Sequence, residues 1–277
     1  MNIRQLLVEA REQLAGLDSA RLESEILLAE ALNTSRSYLY ANPEMEPPQQ
    51  RLTAFRSLLK RRTKGEPIAY ILGRREFWSL QLEINPDVLI PRPETELLVE
   101  QALAVIPATA DWRIGDLGTG SGAIALAIAH ERPVCKIHAT DISQPALLLA
   151  RRNQQRLGIT NVQFHPGSWC EPLTGQFMLL ASNPPYIATD DDHLTRGDCR
   201  FEPQTALTPG SDPLGAIREI TAQTMNYLLP GGHLLLEHGY DQATRVRELL
   251  LTTGLYDVRS IADLAGHERI TMGSVPG

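Results

Sequence analysis

Residues 183–186 of this 277-residue chain read Asn-Pro-Pro-Tyr, directly after the apolar run "FMLLAS" at 177–182. Proline donates nothing to a sheet ladder, so the strand expected over 177–182 has to stop there. The strand gives way to a stiff loop with an amide at Asn183, N–H-free backbone at Pro184 and Pro185, and a ring at Tyr186. An amide oxygen and a proline carbonyl accept hydrogen bonds, and an aromatic face suits something flat. A second unusual stretch, "DLGTGSGAIALAIA", begins at Asp116. Gly118, Gly120 and Gly122, with Thr119 and Ser121 between them, let the backbone turn tightly and approach a ligand. Asp116 is placed to fix that loop through backbone amides. Asp141 ends the next apolar run, where an acid meets ribose hydroxyls in a nucleoside-binding α/β fold. It is equally placed to cap the helix entered at 143–145.

The elements that position these residues emerge from periodicity. From residue 94 the chain alternates helix and strand, with strands expected at 113–118, 135–141, 162–166, 177–182, 233–238, 256–262 and 269–275. Helices are expected at 121–131, 144–157, 213–229 and 241–253. Such alternation means a mostly parallel seven-stranded sheet with helices on both faces, an α/β fold of Rossmann-like type. Asp116–Gly122, Asp141, Trp169 and Asn183 each fall at or just past a strand end, so they converge on one rim.

Residues 1–64 have a helical rhythm instead. Ile3, Leu6, Leu7, Ala10, Leu14 and Leu17 form one stripe, and Leu52, Phe55, Leu58 and Leu59 another. Asp18 or Ser19 is expected to cap a second helix, Ser35 a third, and Pro47–Pro48 to open a fourth. "EFWSLQLEI" alternates with period two, and Gly73 offers a turn to a partner strand in "PIAYIL". The expected organisation is an all-α bundle over 1–64, a β-hairpin linker over 65–90, and the α/β domain over 91–277.

Composition narrows the class. The formal net charge is −7 and the sequence pI about 5.5, whereas duplex binding calls for a basic surface. No direct nucleic-acid binding is expected, and the basic run "KRRTK" at 60–64 reads as a solvated helix end. Three separated cysteines fit neither a disulfide framework nor a metal cluster. The seven histidines show no ligand spacing, so no metal is expected. The N-terminus carries charges throughout, unlike a signal peptide, and no apolar run spans a bilayer. The expectation is a cytoplasmic monomer with no membrane association.

The acid before G-x-G-x-G, the acid at the second strand end and the N-P-P-Y loop together resemble class I S-adenosylmethionine-dependent methyltransferases acting on planar nitrogen. "GEPIAYILGRREFW", "IPRPETE", "RFEPQTAL" and "LLLEHG" carry the resemblance further, over nearly the whole chain, to the bacterial release factor N5-glutamine methyltransferases. The resemblance implies methylation of the glutamine amide in the Gly-Gly-Gln motif of class 1 peptide chain release factors, with S-adenosylhomocysteine as product. It implies that Gly118 through Gly122, Asp141, Trp169 and Asn183 hold the cofactor. It also implies that Asn183, Pro184, Pro185 and Tyr186 grip the substrate amide while Phe77 closes over its aliphatic part. Phe77 and Trp169 also read as ordinary packing. Ser168 stands where many relatives carry an acid, and "TMGSVPG" lacks the arginine that commonly comes after the glycine.

Two other readings of these residues stay open on sequence alone. An adenine-N6 methyltransferase would use the same N-P-P-Y loop on a flipped base, with Tyr186 stacking on it. Gly118, Gly120 and Ala123 also satisfy the dinucleotide pattern G-x-G-x-x-G/A, which on its own would suit a nicotinamide dehydrogenase.

Overall fold

The computed structural model describes all 277 residues and divides into two compact units, Met1–Gly73 and Arg74–Gly277. The first is helical: α1 Ile3–Gln13, α2 Ala20–Leu32, α3 Arg36–Ala41, α4 Gln49–Thr63 and the short α5 Ile68–Leu72. A capping box starts α1. The Asn2 side chain accepts from the Gln5 amide at 3.0 Å, and the Gln5 side chain accepts from the Asn2 amide at 3.1 Å. The expected stripe of Ile3, Leu6, Leu7 and Ala10 is buried with Leu27, Leu28, Leu39, Phe55 and Leu59. Ser35 caps α3 through the Tyr38 amide. Ser19 is the N-cap of α2 without a capping hydrogen bond to the backbone; its hydroxyl donates to Glu23 instead.

The basic run at the end of α4 is more than a solvated helix end. Arg62 is buried and its Nε donates to Glu23 at 2.6 Å, while Arg61 pairs with Glu66. A buried guanidinium requires such a partner, so this part of the run staples the bundle. "PIAYIL" also departs from the expectation. It forms α5, with Gly73 in the left-handed conformation at its C-cap.

In the second unit the hairpin is therefore shorter and shifted. It pairs β1 Arg74–Phe77 with β2 Leu80–Glu83, and Trp78 and Ser79 both take positive φ, 52° and 58°. Two left-handed residues match the twist of a tight hairpin, which the period-two pattern concealed by placing Trp78 inside a strand. The remaining elements are α6 Thr95–Val105, β3 Arg113–Leu117, α7 Ala123–Glu131, β4 Lys136–Asp141, α8 Gln144–Leu157 and β5 Val162–Pro166. After them come β6 Phe177–Ser182, α9 Gln204–Leu207, α10 Gly215–Tyr227, β7 Leu228–Glu237, α11 Ala243–Thr252, β8 Tyr256–Ala262 and β9 Glu268–Ser274. Sheet order is β5-β4-β3-β6-β7-β9-β8, with β9 antiparallel to both its neighbours and every other pairing parallel. The chain runs outward from β3 through β4 to β5, then resumes on the other side at β6. Such a reversal opens a crevice at the carboxyl ends of the two central strands, β3 and β6. The glycine loop leaves β3 and Asn-Pro-Pro-Tyr leaves β6.

Candidate active site

The crevice is a cavity of about 350 Å³, within the range of small-ligand sites. Gly118, Thr119, Gly120, Ser121, Asp141, Trp169, Asn183 and Pro185 line it, together with Thr95, Ile142 and Ser168.

The loop after β3 is held from beneath. Asp116 is fully buried, and its Oδ2 accepts from the Thr119 hydroxyl at 2.6 Å and the Ala125 amide at 3.1 Å. The amides of Gly118 and Thr119 both donate to the Thr140 carbonyl at 2.9 Å. Gly118 has φ +75°, and a Cβ there would come within 3.1 Å of the Trp169 ring. Gly120 also has positive φ, +55°, yet a Cβ there would meet nothing within 4 Å. Its bareness faces open space, as a ligand's close approach requires. Gly122 is the N-cap of α7 and lies outside the cavity lining.

Asp141 ties this loop to the next strand end. Its Oδ2 accepts from the Gly120 amide at 2.9 Å and its Oδ1 from the Ser143 amide at 2.8 Å. The side-chain cap of α8 is Ser143, through the Ala146 amide, and Asp141 holds only the entry to that helix, through the Ser143 amide. Burial pushes the Asp141 carboxyl above its usual range, against the pull of those amides. Each oxygen keeps a lone pair beyond the one its amide uses, which fits the two hydroxyls of a ribose. Trp169 has φ 45°, and its indole N–H donates to Glu219 at 2.8 Å, which fixes the ring against Gly118. Asn153 braces the loop from behind. It receives the Glu83 amide at 2.6 Å and donates to the Ser121 carbonyl at 3.0 Å, linking β2 to the glycines.

On the β6 side, Asn183 Nδ2 donates to the Thr95 hydroxyl at 3.0 Å. Its Oδ1 is thereby left for the cavity. Pro184 is buried, and the Tyr186 carbonyl accepts from Gln242 at 2.9 Å. The Tyr186 hydroxyl lies 3.5 Å from Glu237 Oε1. The segment beyond is pinned as well, since the Ile187 amide donates to Leu207 and the Thr189 amide to Gly210. "PRPETE" and "RFEPQTAL" meet at one buried carboxylate: Glu202 accepts from the Ile90 amide and pairs with Arg92.

Not every expected residue reaches the cavity. Pro184 and Tyr186 stand behind its wall rather than on it. Phe77 is buried, 1% exposed, and is absent from the lining. Its alternation with the turn residue Trp78 sends the ring inward, so its observed place is the hairpin's apolar face. Thr95, Glu237 and Glu219 are site-supporting residues that periodicity did not single out, although Thr95 sits inside "IPRPETE" and Glu237 inside "LLLEHG". Their partners are distant in sequence, and only the strand order brings them together.

Asp116 yields a testable consequence. Burial pushes its carboxyl from the usual 3.8 to about 7, so the charged form destabilises the folded state. A folded pKa above the unfolded one means stability is fully present below about 4 and is lost as pH rises through about 7. Asp116→Asn removes that slope. Its stability relative to the native chain should rise by about 2 kcal/mol between pH 5 and pH 8 in urea unfolding. A difference independent of pH would show that Asp116 is ionised at little cost.

Comparison with known proteins agrees with this architecture. Residues 5–73 match the PrmC N-terminal domain, and residues 93–198 match the methyltransferase small domain. A methyltransferase structure from Pyrococcus furiosus shares the fold, with TM-score 0.56 and 20% identity over 79% of this chain and 98% of that one. The release factor glutamine methyltransferase of Pseudomonas aeruginosa is 51% identical over 262 residues, 94% of this chain and 95% of its own. That of Escherichia coli K12 is 46% identical over 274 residues, 99% of each. Identity at this level, running almost end to end through the helical unit and the sheet alike, makes the chain a member of the release factor glutamine methyltransferase family.

Proposed function

We infer that this protein transfers the methyl group of S-adenosylmethionine to the side-chain amide nitrogen, N5, of the glutamine in the Gly-Gly-Gln motif of class 1 peptide chain release factors. The family membership carries the choice of glutamine over adenine. The observation that carries the chemistry is Asn183, whose amide N–H is committed to Thr95 at the edge of the cavity that Asp141 also lines.

An amide nitrogen is a poor nucleophile because its lone pair is delocalised into the carbonyl. The bound sulfonium supplies a methyl carbon that is already strongly electrophilic. The chain's own part is orientation and electrostatics. Asn183 Oδ1 would accept an N–H of the glutamine amide, aim its nitrogen at the methyl group and favour the positive charge developing there. With the amide so held, its nitrogen would take up the methyl group and release one amide proton to solvent. Gly118 through Ser121 and Asp141 would hold the cofactor and Trp169 would pack beside its base, while Pro185 and Tyr186 stiffen the substrate wall. Residues 1–64 would grasp the release factor.

The test is transfer of labelled methyl from S-adenosylmethionine to a purified class 1 release factor, beside the same factor with its motif glutamine replaced by alanine. Label on the first only is the expected result. Equal label on both would remove the glutamine from the reaction.

A further inference from the structure

A carboxylate lies under the Asn-Pro-Pro-Tyr loop with no cation bonded to it. Glu237 ends β7, and because Ser182 is in register with Leu236, it stands beside Asn183 at the ends of adjacent strands. It is 1% exposed, and its Oε2 has no hydrogen-bond partner. Around it are the Thr95 hydroxyl and Glu94 from the start of α6, the Tyr186 hydroxyl from the loop, and Arg269 from β9, which is itself paired with Asp263. The neighbouring His238 is buried with Nδ1 at the Gly239 carbonyl and Nε2 at the Thr271 hydroxyl, so it does not neutralise Glu237. Burying a carboxylate this way is costly, and apolar leucines occupy the three preceding positions of the same strand.

The hydrogen-bond inventory shows what the carboxylate accomplishes. A threonine hydroxyl has a single proton, and with the Asn183 NH2 on the Thr95 oxygen, the acceptor standing beside it for that proton is the Glu237 carboxylate. Toward Asn183 the hydroxyl can then only accept. The asparagine must therefore turn its NH2 inward, as observed at 3.0 Å, and its oxygen outward to the cavity. Without an acceptor behind it, Thr95 can donate instead. Asn183 could then flip and present an NH2 to the substrate's NH2, two donors facing each other. Resting on the functional reading of this site as a glutamine methyltransferase, we propose that Glu237 is a positioning residue: through Thr95 it fixes which end of the Asn183 amide meets the substrate, and it anchors the Tyr186 hydroxyl directly.

The same geometry gives a pH signature. Burial pushes the Glu237 carboxyl to about 7, and a protonated carboxyl can donate to Thr95 and reverse the relay. Turnover should therefore fall on the acid side through an ionisation that belongs to Glu237.

The test uses Glu237→Met, which removes the acceptor, and Glu237→Gln, which keeps one without charge. Each is assayed for kcat and KM with a purified release factor and for cofactor Kd by calorimetry. For Glu237→Met, kcat should drop about 10-fold or more, with KM and cofactor Kd within about threefold and the acid limb of the kcat profile gone. Glu237→Gln should recover at least about a third of native kcat. Combining Glu237→Met with Thr95→Val should be no worse than the poorer single variant, since both cut one relay. Native kcat in Glu237→Met, equal loss in Met and Gln variants, or multiplying losses in the double variant would each overturn the relay. Should Glu237→Met fail to bind cofactor, Thr95→Ser against Thr95→Val decides: activity kept only by serine supports the relay, and equal activities overturn it. Failure of the functional reading looks different, because the native protein would then leave the release factor unlabelled.

Discussion

Asn183→Ala should lower kcat for release-factor methylation by about 10²–10³-fold while leaving the cofactor Kd within about twofold. Asn183 lines the cavity, and with its NH2 donating to Thr95 its oxygen is left to face the substrate. That oxygen serves the transition state more than the ground state, because the substrate N–H groups become better donors as nitrogen acquires positive charge. An interaction that strengthens along the reaction appears in kcat rather than in KM. The loop itself should survive the change. Pro184 and Pro185 fix its backbone, the Tyr186 carbonyl is held by Gln242, and the Ile187 amide by Leu207. Asn183→Asp is an informative companion. It retains the outward oxygen but sets a carboxylate beside the Thr95–Glu237 pair, so its defect should shrink as pH falls. Steady-state kinetics with the release factor, beside calorimetry with S-adenosylhomocysteine, separates the two parameters. Native turnover in Asn183→Ala would remove this residue from the mechanism.

The sheet was legible because its strands are short apolar runs bounded by loop chemistry. The glycines after Leu117 and the prolines after Asn183 punctuate the two central strands, and each strand ends within a residue of the expected place. The hairpin was harder. Trp78 and Ser79 form its turn with positive φ, although neither is a residue that prefers that conformation. Gly73 looked like the turn residue and instead closes α5, because "PIAYIL" is apolar enough to suit either periodicity. Phe77 illustrates another limit. Its neighbours mark it as part of a motif, but which side of the pleat it faces depends on where the turn begins. The basic run at 60–64 misled for a related reason: Glu23 lies in a different helix, and nothing local announces that Arg62 turns inward to meet it.

Long-range pairing is also why the rim was readable and its foundation was not. Asp141, the glycines and Asn183 belong to recognisable local patterns. Thr95, Glu202 and Glu237 act through partners about 50 to 140 residues away, so their chemistry exists only once β7 lies beside β6 and α6 packs over the strand ends. A site of this kind has a polar inner layer whose members are individually unremarkable in sequence. Their burial, and the upward shifts it imposes on the Asp116 and Glu237 carboxyls, are the physical trace of that layer.

The second large effect is expected at Asp141, and it should be the converse of that at Asn183. Asp141→Ala should weaken cofactor binding by about 100-fold, roughly 2.7 kcal/mol, with kcat at saturating cofactor within about threefold of native. The carboxylate has two duties. It holds the glycine loop and the entry to α8 through the Gly120 and Ser143 amides, and it leaves lone pairs for the two ribose hydroxyls. The nucleoside is bound equally before and during methyl transfer, so the loss is uniform binding and falls on affinity. Asp141→Asn is not a mild version. Both carboxylate oxygens accept from backbone N–H groups at 2.9 and 2.8 Å, and an asparagine must turn its NH2 toward one of them. One loop amide then faces a donor, so Asp141→Asn should lose nearly as much affinity as Asp141→Ala. Calorimetric titration of both variants with S-adenosylhomocysteine measures this directly. If Asp141→Asn bound like the native protein, the loop would be free to rearrange, and the fixed cradle between β3 and β4 would no longer explain affinity. If Asp141→Ala lost turnover at saturating cofactor but no affinity, the division of labour between the two strand ends would be reversed.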